Sequence, residues 1–185
     1  QTFNKSEKNI VTLEDPVEFR IDGIQQTQIN DAIEFTFAKA LRTVVRQDPD
    51  IIMLGEIRDT DTAQMAIQAA LTGVLILSTF HTFDIPALVM RLTEIGFSES
   101  VIAQAIQGVI STRLVRKICE SCKTSYQSTR QSVPGQIYRG AGCSACQQKG
   151  YLGRVGIFEV VHFDQDIKIC IIEKRPASEL VKLLQ

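Results

Sequence analysis

Apolar and polar positions in this chain fall into blocks, and blocks of strand type are repeatedly followed by blocks of helix type. Ile10-Val11-Thr12-Leu13 favours a strand and stops at Glu14-Asp15-Pro16, where the proline ends any ladder. Val17-Glu18-Phe19-Arg20-Ile21 alternates with period two and Asp22-Gly23 signals a turn, so Ile24 to Ile29 is expected to return as its hairpin partner. From Asp31 to Gln47, Ile33, Phe37, Leu41, Val44 and Val45 recur at helical spacing, which predicts one helix ending before Pro49 with Arg42 and Arg46 on a shared face. Ile51-Ile52-Met53-Leu54 is apolar without alternation, so neither face is spared for water, and it predicts a strand buried on both sides.

The same alternation continues downstream. Thr60-Asp61 is placed to cap a helix with Met65, Ile67, Ala69, Ala70 and Leu71 on its apolar face and Gly73 as its stop. Val74-Leu75-Ile76-Leu77 predicts another buried strand, running into Ser78-Thr79-Phe80-His81-Thr82. Asp84 and Pro86 open a helix through Leu88, Val89, Leu92 and Ile95, closed by Gly96, and Ser98 caps a further helix expected from Glu99 to about Val115. From Arg116 the pattern breaks into two CxxC pairs joined by a polar loop. Val155 to Val161 resumes strand character, and Asp164–Glu173 and Pro176–Leu184 read as two short helices. Strand followed by helix, three times over, predicts an α/β fold with a mostly parallel sheet.

Composition sets the class without naming a partner. The 185 residues suffice for one domain with an appendage; 44% are hydrophobic, 22% are charged and the net charge is −1, a soluble globular profile that favours neither nucleic acid nor an anionic membrane. No apolar run approaches the roughly 18 residues of a bilayer span, and the start lacks the layout of a secretory signal, so the expected location is cytoplasmic. The chain begins at Gln1 and enters a strand almost at once, which reads as a piece of a longer protein.

Candidate chemistry sits where three predicted strands end: Glu14 and Asp15, then Gly55-Glu56 with Arg58 and Asp59, then His81. In open parallel sheets ligands bind outside the carboxyl ends of the strands. Parallel neighbours would bring Glu14, Glu56 and His81 together, giving one carboxylate for a magnesium ion or its waters, another to orient or deprotonate water, and an imidazole to sense a terminal phosphate. The plainer alternatives are a solvated carboxylate at Glu56, a turn-capping one at Glu14 and a hydrogen-bonded structural histidine at His81. Arg42, Arg46, Arg58, Arg113 and Arg116 are either solvated or contacts for phosphate or a neighbouring subunit. No GxxxxGK[ST] occurs in the chain, so the loop and lysine that cradle β- and γ-phosphates are absent from it.

Cys119, Cys122, Cys143 and Cys146 form two CxxC pairs separated by twenty residues, the spacing of a closed tetrahedral zinc site in a reducing compartment. Iron or ordinary thiols are the alternatives. Four thiolates leave no open position for substrate, so such a site is structural. Cys170, among Ile167, Ile169, Ile171 and Ile172, is expected in the core.

TLEDPVEF (12–19), LRTVVRQDPDIIMLGEIRD (41–59), TAQMAIQAALTG (62–73), STFHT (78–82) and the tetracysteine element followed by GYLGRVGIFEV together resemble the C-terminal domain of the type II secretion and type IV pilus assembly ATPases, over nearly the whole chain. That resemblance implies a RecA-like core over 1–115 carrying an Asp box, an atypical Walker B and a His box, a zinc-binding element over 116–150, and a returning strand with C-terminal helices over 151–185. It implies a homo-hexamer using ATP and Mg2+, with Zn2+ on the four cysteines, working with an inner-membrane platform protein and other cytoplasmic-domain partners at the bacterial inner membrane, without direct contact with nucleic acid. By the same likeness Glu56 acts through magnesium or its water, Glu14 orients the attacking water, and His81 meets the γ-phosphate region. Asp15, Gly55, Arg42, Arg46 and Arg58 fall at positions that line the nucleotide or reach across subunit boundaries. The tetracysteine element is shared with the assembly and secretion types and lacking in the retraction type, so the expected work is polymerising a pilus or pseudopilus. Val74 stands where the family often has a histidine, and the Walker A loop is not in this chain.

Overall fold

The central strand forms where four aliphatic side chains follow one another. In the computed structural model, which describes residues 7–126 and 136–184, Ile10–Glu14 is β1, Gln25–Gln28 is β2, Ile51–Leu54 is β3 and Leu75–Ser78 is β4. They make one parallel sheet in the order β2-β1-β3-β4. Ile51, Ile52 and Leu54 are buried, as their lack of alternation requires. Asp50 ties the entry of this strand down by accepting hydrogen bonds from Lys8 Nζ and the Asn9 N–H, each at 2.8 Å.

The segment after β1 departs from expectation. Val17–Ile21 forms no strand, and β2 pairs with β1 in parallel instead of closing a hairpin. The backbone groups of 17–21 are taken up by glutamine side chains: Ile21 N–H donates to Gln26 Oε1 at 2.7 Å, and Gln26 Nε2 donates to the Phe19 carbonyl at 3.0 Å. With its polar backbone satisfied that way, the alternating apolar residues stay outside, Phe19 at 81% exposure.

The helix expected from 31 to 47 is two pieces. Asn30 caps a single 3-10 turn, Asp31–Ile33, and Glu34 then turns left-handed at φ 57°. Thr36 caps afresh, and helix α1 runs from Phe37 to Val44, continued by a 3-10 turn to Gln47. Ile33 is consequently exposed, whereas Phe37, Ala40, Leu41 and Val44 join Val11, Leu13, Ile29, Ile52, Leu54 and Ala66 in the core beside the sheet. Helix α2, Thr60–Leu71, is capped by Asp59, whose carboxylate accepts from the Thr62 N–H at 2.7 Å and its hydroxyl at 2.8 Å. Strand β4 is less covered than its apolar run suggested. It lies at the edge of this sheet, and Leu75 and Leu77 remain about two-fifths exposed.

Helix α3, Ile85–Ile95, starts on Asp84 with Pro86 in its first turn and stops at Gly96. Helix α4 is Glu99–Ala105, shorter than expected: Ile106 is already extended, and Gly108–Ile118, rich in β-branched residues, forms strand β5 instead of a continuing helix. Helices α5, Gln165–Ile172, and α6, Ala177–Leu183, close the chain as read, with Cys170 buried.

The chain divides into two compact units, residues 1–109 with 162–185, and residues 110–161. In the second, β5 pairs with β8, Tyr151–His162, and Lys123–Tyr126 (β6) pairs antiparallel with Ile137–Gly140 (β7). Cations lie over rings along these ribbons: Arg116 on Tyr151 at 4.2 Å and Lys123 on Tyr138 at 4.5 Å. Part of the polar loop between Cys122 and Gly140 lies outside the described residues.

Candidate functional site

Parallel register decides which strand ends meet. Leu13 pairs with Leu54, so Glu14 on β1 falls beside Gly55 after β3, and Leu54 pairs with Ser78 at the end of β4. The Gly55 backbone closes this junction: its N–H donates to the Leu13 carbonyl at 2.8 Å. On the other side the Thr79 hydroxyl donates to the Gly55 carbonyl at 2.8 Å, and the Ile57 N–H donates to the Thr79 carbonyl at 3.2 Å. Three strand ends are thereby fastened to one turn.

The charged side chains projecting from that turn form a connected set. Arg58 Nη2 donates to Glu56 Oε1 at 2.5 Å, and Arg58 Nη1 lies 3.6 Å from Asp15 Oδ2. His81 Nε2 lies 3.3 Å from the other Glu56 oxygen, Oε2, an ion pair when the imidazole is protonated. The Arg58 guanidinium holds the Glu56 carboxyl below its ordinary value; partial burial opposes that shift, and His81 reinforces it. Glu56 is also the most sheltered of these side chains, at 20% exposure, while His81 is open to solvent at 84%.

Glu14 stands apart from that set. Its Oε1 accepts from the Thr12 hydroxyl at 2.5 Å and from Gln26 Nε2 at 2.9 Å. The structure therefore brings Glu56, Arg58, Asp15 and His81 together, places Glu14 beside them across Gly55, and leaves Arg42 and Arg46 exposed on α1 and the turn after it, with no contact to this set among the described residues. Asp59 is spent as the cap of α2. Val74 packs half-buried against the core, its N–H donating to the Ala69 carbonyl at 3.2 Å. Arg113 Nη1 donates to the Thr112 carbonyl at 3.3 Å, and Arg116 is engaged with Tyr151.

Thr12, Gln26 and Thr79 escaped the sequence reading. Thr12 carried a usable signal, a hydroxyl residue inside an otherwise aliphatic buried strand. Gln26 carried none, because Gln25, Gln26 and Gln28 are indistinguishable until the register is known.

A sheet edge bearing carboxylate oxygens, a guanidinium and an imidazole suits a hard cation with a phosphate, since oxygen donors hold magnesium and the fork of arginine matches phosphate. In the second unit the donors are soft. The Sγ atoms of Cys119, Cys122, Cys143 and Cys146 lie within 4.8 Å of one another, with Cys119–Cys143 at 3.9 Å, Cys122–Cys146 at 3.8 Å and Cys143–Cys146 at 3.7 Å. Four sulfurs at about 2.3 Å from a tetrahedral centre are about 3.8 Å apart, so these thiols are already spaced for zinc. Burial pushes the Cys122 thiol up to about 11. Burial acts the same way on Cys146, but N–H groups of Cys143 and Gly150 aimed at its sulfur, at 3.3 and 3.2 Å, outweigh it and bring that thiol down to about 6.

Known proteins share the sequence and fold of this chain over most of its length. The chain is 45% identical over 177 residues to the type II secretion system ATPase E of Vibrio cholerae, a match covering 91% of this chain and 35% of that protein. It is 43% identical over 188 residues to the type IV pilus assembly ATPase PilB of Thermus thermophilus, covering 96% of this chain and 21% of that one. The chain thus spans roughly a third or less of these relatives. Among solved structures, the pilus retraction motor PilT with bound ADP superposes at a TM-score of 0.67 with 28% identity, over 95% of this chain and 44% of that chain. The ATPase DotB of Legionella pneumophila shares the fold at 0.66, covering 97% of this chain and 44% of its own. The sequence matches the family described as Type II/IV secretion system protein across residues 1–185, and the chain belongs to that family of secretion and pilus assembly ATPases.

Proposed function

We propose that this chain is the catalytic-edge portion of a magnesium-dependent motor ATPase whose hydrolysis drives assembly of a type II secretion pseudopilus or type IV pilus. The observation that carries the reading is the joining of Glu56, Arg58, Asp15 and His81 at the carboxyl end of a parallel sheet, with Glu14 alongside. Phosphoryl transfer asks mainly for positioning and electrostatic stabilisation. Magnesium supplies charge neutralisation at the phosphates when bound. Glu56 would hold that ion or one of its waters, Glu14 would orient the attacking water and take its proton, and His81 would meet the γ-phosphate. Arg58, Asp15 and Gly55 line the nucleotide side of the turn. Arg42 and Arg46, exposed and without ion partners among the described residues, reach across a boundary in a homo-hexamer.

The four cysteines hold a structural zinc, which supplies about 10–16 kcal/mol of apparent binding energy in small metal-ordered folds. The motor works from the cytoplasmic side of the bacterial inner membrane through a platform protein and other cytoplasmic-domain partners. No helix among the described residues is long and apolar enough to cross a membrane. Since the sequence holds no GxxxxGK[ST], the 185-residue piece alone binds nucleotide poorly and is inactive.

The test compares ATP turnover of the full-length protein with its Glu56→Gln variant. A loss of about 100-fold or more is expected from removing a metal-directed carboxylate, and unchanged turnover sinks the assignment. One observation supports a second reading, a zinc-ordered docking or oligomerisation module without catalysis: the thiol cluster belongs to a compact unit of its own. That reading requires the full-length wild type to be inactive while still assembling.

A further inference from the structure

Among the described residues Glu14 meets no cation, unlike Glu56 and Asp15 beside it. What it meets instead is two neutral donors, both on the same oxygen. The Thr12 hydroxyl, on a residue 4% exposed, reaches Oε1 at 2.5 Å from two positions earlier on β1, and Gln26 Nε2 reaches it at 2.9 Å from the neighbouring strand. Register explains the convergence. Thr12 pairs with Gln26, and alternation puts Thr12 and Glu14 on one face of the sheet, so the three side chains stand side by side.

Gln26 is itself immobilised. Its amide nitrogen also donates to the Phe19 carbonyl at 3.0 Å, and its amide oxygen accepts from the Ile21 N–H at 2.7 Å. A half-buried strand glutamine ordinarily keeps three free torsions; this one has its amide fixed at both ends, on a carboxylate and on the crossing segment 17–21. Oε1 of Glu14 is thereby occupied, and among the described residues no group donates to Oε2.

We propose that Gln26 and Thr12 are positioning residues for Glu14: together they hold its Oε1, so that Oε2 is presented in one fixed orientation toward the attacking water. This rests on the reading of Glu14 as the residue that orients water. The physical reason is that a general base contributes only when its lone pair points along the proton it takes, and a carboxylate pinned by neutral donors keeps its direction without losing its negative charge to a cation. Glu56, by contrast, is held by a guanidinium, which suits a group that binds charge and not one that moves a proton.

The test measures ATP turnover and melting temperature of full-length wild type, Glu14→Gln, Gln26→Leu, Thr12→Val and Thr12→Ser, and of each of the first two donor variants combined with Glu14→Gln. Misorientation of a catalytic group costs about 10- to 100-fold in kcat. Gln26→Leu and Thr12→Val are expected to lose that much with KM for ATP changed by about twofold or less, while Thr12→Ser, which keeps the hydroxyl, stays near wild type. In the Glu14→Gln background neither donor variant costs anything further, because the group they position is gone. Thr12→Val leaves the bonds to Phe19 and Ile21 in place, so it decides the matter if Gln26→Leu does not fold. Donor variants that turn over normally beside an impaired Glu14→Gln overturn the proposal, as do losses that multiply with that of Glu14→Gln. If Glu14→Gln itself retains full turnover, the role of Glu14 is wrong and the proposal goes with it.

Discussion

Arg58 donates to Glu56 at 2.5 Å, joining two residues separated by one position after the central strand. The pair fixes the carboxylate in its ionised form, and that has a consequence for pH. The Arg58 guanidinium lowers Glu56 from its ordinary value of 4.5, so the pair's stabilisation is fully present above that value and is lost as pH falls through the depressed one. Arg58→Ala is therefore expected to melt below wild type near pH 7, with the gap closing as the solution is taken below about pH 4. Thermal melts across that range check it. A gap that persists undiminished in acid means Arg58 stabilises by packing and not through Glu56.

The Thr79 hydroxyl performs a smaller service, tying the end of β4 to the Gly55 carbonyl at 2.8 Å. Thr79→Val keeps the shape and removes the donor. A single hydrogen bond of this kind contributes about 0.5–1.5 kcal/mol, and its solvent exposure puts it at the low end. Calorimetry should show a drop of about 1–2 °C. ATP turnover in the full-length variant should fall further than that drop explains, because Thr79 lies two residues before His81.

The central strand and its flanking charges were legible because a both-faces-buried strand needs consecutive aliphatic residues, and Ile51 to Leu54 offers nothing else. The caps Asp84 and Ser98 were legible for the same local reason: one side chain satisfies an N–H three residues on. What could not be read was set by distant partners. Val17–Ile21 alternates like a strand, yet Gln26 satisfies its backbone from across the turn, and nothing in 17–21 signals that. Helix α4 stops short because the β-branched stretch after it, Gly108–Ile118, finds its strand partner far downstream in Tyr151–His162. Likewise the ends of β1, β3 and β4 were correctly suspected of meeting, but that Arg58 bridges Glu56 and Asp15, and that Glu14 is held separately, depends on register.

Gly140 and Gly150 mark a crossing where no side chain fits. A Cβ on Gly140 would lie 1.9 Å from the Gly150 carbonyl oxygen, well inside contact distance and against backbone that has no rotamer to yield. The same Gly150 carbonyl accepts from the Cys119 N–H at 3.0 Å, and its own N–H donates to Cys146 Sγ. Gly140→Ala is thus expected to push apart the two halves of the cysteine cluster, costing about 1–3 kcal/mol as an overpacked site. Zinc retained per chain after dialysis, measured by mass spectrometry, should fall well below that of wild type. Full retention would mean the ribbon slides to absorb the methyl group.

The cysteine cluster also makes a prediction that separates the two units. Three of the Sγ pairs lie 3.7–3.9 Å apart and four thiolates leave no open ligand position, so the zinc we propose there would serve the folding of residues 110–161 and not chemistry. Ligands must be deprotonated to bind, so zinc affinity rises with pH, and burial, which raises the Cys122 thiol to about 11, makes its proton a costly one to displace. Cys122→Ser, or a strong chelator, is expected to release one zinc per chain and open residues 110–161 to protease. The core built on Leu13, Leu41, Ile52 and Leu54 carries its own packing and should keep its protection from hydrogen exchange. Hydrogen exchange followed by mass spectrometry, with and without chelator, reads both units in one experiment. Exchange that accelerates equally in both units would show that the metal supports the whole fold; acceleration in neither would show that the thiols hold their arrangement without it.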